Sequence, residues 1–93
     1  MPATFCKFTF TEKVSKAFLD DAIACAVFFA EYAFGKARVR IDTAYATADD
    51  PPRCLIDTSS DVGRFIAEEL AETMMKLKGE RSFDVTKVDQ WKL

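Results

Sequence analysis

The chain has 93 residues, 49% of them hydrophobic and 30% charged, with a formal net charge of −2. That size and balance suit one compact domain, residues 1–93, with a packed core, and they exclude a disordered chain. The acidic charge balance argues against a general nucleic-acid binder and against a polybasic membrane contact.

There is no His, and the three cysteines, Cys6, Cys25 and Cys54, are scattered. No metal-ligand spacing results, so no metal and no cofactor are expected. The cysteines read as reduced core thiols of a cytoplasmic protein. "MPATFCKFTF" lacks the basic start and apolar core of a secretory signal.

Taken in chain order, "TFCKFTF", residues 4–10, alternates as a half-buried strand, with Cys6, Phe8 and Phe10 on one face. Thr11 is a helix-cap residue type, and a helix is expected from about Glu12 to Phe34, stopped by Gly35. "KARVRIDTAYAT", residues 36–47, alternates again and predicts a strand with Val39, Ile41, Thr43 and Tyr45 on one face and Arg38, Arg40 and Asp42 on the other. "ADDPPR" is a turn, and "RCLIDT" the second strand of a hairpin. A helix follows from about Ser60 to Lys78, with Val62, Ile66, Leu70, Met74 and Leu77 as its apolar stripe and Arg64/Glu68 and Glu72/Lys76 spaced as ion pairs. "SFDVTKV", residues 82–88, is the last strand, and "DQWKL" trails it.

This order, β-α-β-β-α-β, resembles the split βαβ pattern of ferredoxin-like domains. It implies an α+β sandwich with two helices on one face of a four-stranded antiparallel sheet. Domains of that order serve many functions, so topology does not select one.

Two features invite a functional reading. The first helix carries excess apolar surface. On a helical wheel Phe18, Leu19, Ala22, Cys25, Ala26, Phe29 and Ala33 point to the sheet, yet Ala24 and Val27 lie in the polar sector and Phe28 on its flank. "AIACAVFFA", residues 22–30, is too short to span a bilayer, so a protein cover is expected instead. Either the tail folds back, with Trp91 and Leu93 covering Val27 and Phe28, or a second subunit does so, with a lipid or apolar-ligand contact as the third choice. Ala24, Val27, Phe28 and Trp91 are the candidate interface residues.

The second feature is "CLIDTSSDVG", residues 54–63. Asp57-Thr58-Ser59 resembles the Asp-Thr-Gly or Asp-Ser-Gly turn of aspartic proteases, but Ser59 stands where that family needs glycine, and the flanking helices do not suit it. A strand ending at Asp57, a cap at Ser59 or Ser60, and Asp61 in the first helical turn explain the same letters. Gly63 is not needed for capping and implies close approach by another backbone or by a ligand. Thr58, Ser59, Ser60 and Gly63 are therefore the candidate site for an anion or an amino-acid-like ligand. The polar sheet face, with Phe5, Lys7, Arg38 and Arg40, carries mixed charge and a poor stacking surface for RNA. No nucleophile–base constellation is visible, so no enzyme is expected. The reading is a small protein-interaction or assembly module, a cytoplasmic homodimer. Its alternative is a regulatory small-molecule-binding domain using the turn at residues 58–63.

Overall fold

The computed structural model describes residues 4–93; the first three residues of the segment read above for a signal lie outside the described residues. The elements are β1 (Phe5–Phe10), α1 (Lys16–Phe34), α2 (Lys36–Asp42), β2 (Tyr45–Ala48), β3 (Arg53–Asp57), α3 (Asp61–Lys78), a 3-10 turn (Glu80–Ser82) and β4 (Phe83–Val88). The described residues form an α+β fold, with three α-helices and one four-stranded antiparallel sheet in the order β2-β3-β1-β4.

The alternation in β1 sets the layers. Phe8 and Phe10 point to the helices and are buried, while Lys7 and Thr9 take the opposite face. Cys54 and Ile56 of β3 join the helix-side core with Leu19, Ile23, Ala26 and Ala30 of α1 and Val62, Ile66, Leu70 and Met74 of α3. The rings of Phe8, Phe10 and Phe83 lie within 6.5 Å of one another and fill the end of this core. The buried stripe of α3 is the expected one except at its end, where Leu77 is exposed.

The start and the cap of α1 are corrected. Helix α1 starts at Lys16, because Ser15, not Thr11, is its cap: Ser15 Oγ accepts from Phe18 N at 3.1 Å. Thr11 instead opens a turn, its carbonyl accepting from Val14 N. Gly35 does end α1, with φ 90° and its N–H donating to Glu31 O at 2.8 Å.

The larger correction concerns residues 36–47. Lys36–Asp42 is helix α2, and only Tyr45–Ala48 is strand. Alternating Val39 and Ile41 imitates a strand, but on a helix the two diverge by about 200°. Val39 is buried in the core, and Ile41 is 82% exposed. Arg38 fits the helix too, pairing with Asp42 at 3.5 Å and lying 5.0 Å over the Phe34 ring. Arg38 and Arg40 therefore leave the sheet face, and α2 packs chiefly against α1 and α3.

The β2–β3 hairpin turns through residues 49–52, and Arg53 ties it by donating to Asp49 O and Pro51 O. No helix among the described residues is long and apolar enough to cross a membrane.

Candidate functional site

The turn at residues 57–63 is built from its own hydrogen bonds. Asp57 Oδ1 accepts from Ser59 N at 2.9 Å and from Ser59 Oγ at 2.6 Å. Thr58 donates through both N and Oγ1 to Thr4 O, tying the end of β3 to the start of β1. Ser60 Oγ accepts from Gly63 N at 3.0 Å, which makes Ser60 the cap of α3, and donates to Asp42 O at 3.3 Å. Arg64 folds back over the first turn, onto Asp61 and the carbonyl of Thr58.

Gly63 finds its reason here. A Cβ at this position would sit 1.8 Å from the carbonyl oxygen of Asp57. The close approach read from the sequence is that of a backbone, the last residue of β3. The structure thus brings Thr58, Ser59, Ser60 and Gly63 together, with the three hydroxyls and the Gly63 amide all hydrogen-bonded, within the turn or to Thr4 O and Asp42 O. Asp57, the carboxylate of the protease-like motif, is likewise held by Ser59.

The α1 surface is different, because it leaves large aromatic side chains exposed. The buried side of α1 is Leu19, Ala22, Ile23, Ala26 and Ala30. Cys25, Phe29 and Ala33, expected to face the sheet, are exposed. The helix is rotated so that the small residues Ala22, Ala26 and Ala30 meet the sheet and α3. That allows close helix packing and turns the aromatic rings outward. Phe28 is 65% exposed, Phe29 52% and Tyr32 91%, with the Phe28 and Phe29 rings edge-on at 6.1 Å. Ala24 is exposed beside them and Val27 is half-buried against the core. Tyr32 is the residue that the wheel did not single out. Its only sequence signal is its place one turn after Phe28.

Trp91 does not join this surface. Its ring meets Phe5 edge-on at 5.1 Å, and Arg53 Nε donates to the main-chain oxygen of Leu93 at 3.3 Å. Phe5, Arg53 and Leu55 all lie on the sheet face away from the helices. Residues 89–93 therefore cross that face, and Leu55, outside the helix-side core, is fully buried beneath them. The expectation that Trp91 and Leu93 cover Val27 and Phe28 is overturned. So is the grouping of Trp91 with Ala24, Val27 and Phe28 on one surface. Phe5 and Leu55 attract the segment because they are the apolar part of an otherwise open face.

The cysteines divide by environment. Cys54 is fully buried, and burial, with a smaller contribution from the nearby Cys6 thiol, pushes its pKa up to about 12. Cys6 is half-buried and Cys25 exposed on the aromatic side of α1, so only two of the three fit the reading of inert core thiols.

Comparison of the chain with protein-family models, with curated proteins and with solved structures returns no match in any of the three.

Proposed function

We propose that this chain is a small, non-enzymatic assembly module of the cytoplasm that pairs with a second copy of itself through the outward face of α1. The observation that carries this reading is the run of exposed aromatic surface at Phe28, Phe29 and Tyr32, which no segment of the described chain covers. A two-fold axis is the commonest symmetry of soluble oligomers, and it suits this helix. Antiparallel pairing centred on Phe28 sets small Ala24 opposite large Tyr32, a bulge against a hollow.

The lack of an enzymatic role is supported by the occupation of Asp57, the carboxylate with the most suggestive neighbours, within its own turn. Free thiols at Cys6, Cys25 and Cys54 suit a reducing compartment. The strand order β2-β3-β1-β4, with α1 and α3 on one face, supports a ferredoxin-like relationship in which α2 is an insertion between the first helix and the second strand.

Sedimentation velocity over a range of protein concentrations tests the assembly reading. Wild type is expected to sediment as a dimer, and Phe28→Asp as a folded monomer. A wild-type monomer at every concentration, or a Phe28→Asp variant that remains dimeric, rejects the α1 interface.

A further inference from the structure

A second surface stands apart from α1. On the helix side of the sheet α3 does not reach over β4: Val85 and Lys87, which share the face of Phe8 and Cys6, are exposed. Between β4 and α3 opens a cleft of about 340 Å³, bounded by Cys6, Thr58, Arg64, Ala67, Glu68 and Lys87. Its volume lies at the small end of the roughly 300–1,000 Å³ typical of small-molecule sites. The small side chains of Cys6 and Ala67 leave the gap open and give it an apolar floor.

The charges on its walls are arranged unusually. Arg64 is already engaged by Asp61 and by the Thr58 carbonyl. The Arg64/Glu68 pair expected from their spacing is therefore absent, because Asp61, one turn earlier, holds the guanidinium. Glu68 on α3 and Lys87 on β4 line the same cleft from opposite walls, and neither forms an ion pair with the other or with any other described residue. One carboxylate and one ammonium thus line the cleft without an ion-pair partner among the described residues.

We infer that this cleft binds a free α-amino acid as its zwitterion. The ligand's ammonium meets the Glu68 carboxylate, its carboxylate meets Lys87 Nζ, and its side chain rests on Cys6 and Ala67. A simple anion satisfies Lys87 but is repelled by Glu68; a simple cation meets the reverse. Only a ligand carrying both charges a short distance apart neutralises both walls. The inference does not depend on the α1 pairing, since the cleft is complete within one chain.

Calorimetric titration and thermal unfolding of the whole protein test it, with glycine, L-alanine, L-serine and L-leucine as probes and acetate and methylammonium as single-charge controls. At least one amino acid is expected to bind in the millimolar range and raise the midpoint, with each control at least about tenfold weaker. Glu68→Gln and Lys87→Gln, both at exposed positions, are each expected to weaken binding by about tenfold or more while leaving the ligand-free midpoint in place. The inference fails if no amino acid shifts the midpoint, if acetate binds as well as alanine, or if either variant binds like wild type.

Discussion

Gly63 and Ser60 sit three residues apart and act on one turn in opposite ways. Ser60 supplies a bond that other groups could partly replace, so Ser60→Ala is expected to cost about 1 kcal/mol. Gly63 supplies an absence. With a Cβ 1.8 Å from the Asp57 carbonyl, Gly63→Ala forces β3 and α3 apart and is expected to cost about 3 kcal/mol or more. Urea denaturation of the two variants checks the ranking; equal losses would mean that the turn adapts. The thiols allow a second prediction at this scale. Cys25 is expected to react quickly with a thiol reagent in the native protein, and Cys54, buried with its pKa near 12, only on unfolding. If α1 is the pairing surface, the Cys25 rate falls as protein concentration rises.

At the scale of elements, α1 and residues 89–93 exchange the roles the sequence suggests. The tail looks like a cover for the apolar helix, yet it covers the sheet. Leu55 explains why. It is fully buried, and without Trp91 and Leu93 it would face water on the side of the sheet that no helix covers. Deleting residues 89–93 is therefore expected to lower stability by about 2 kcal/mol, within the range for exposing one large side chain. Calorimetry checks this. Phe28→Asp, on an already exposed position, is expected to leave monomer stability within about 0.5 kcal/mol. A deletion without effect would show that the sheet face tolerates water. Helix α2 teaches a related lesson: seven residues are too short for period alone to separate helix from strand, and the burial of Val39 in contact with the helix layer settled the matter.

For the whole molecule, two long helices cover β1 and β3 more fully than the sheet's edges. The uncovered margin at β4 forms the cleft, and the rotation that seats Ala22, Ala26 and Ala30 turns Phe28, Phe29 and Tyr32 to solvent. A homodimer with this surface buried has a midpoint of thermal unfolding that rises with protein concentration, while that of Phe28→Asp stays flat. Differential scanning calorimetry at several concentrations distinguishes the two. A wild-type midpoint that does not move would leave the aromatic face without a self-partner.

The α+β class, β1, the turn into β3, α3 with a cap at Ser59 or Ser60, and the glycine stop at Gly35 were legible in sequence, whereas the extent of β2 was not. Each rests on an interaction within a few residues: alternation, capping, turn chemistry or a positive φ. The need for a close approach at Gly63 was legible as well; that the neighbour is the Asp57 carbonyl was not. Tertiary structure alone decided the rotation of α1, the helical state of residues 36–42, the destination of Trp91, and the meeting of Glu68 with Lys87 across one cleft. Those outcomes depend on which surfaces compete for burial between segments distant in the chain, a competition that no local pattern encodes.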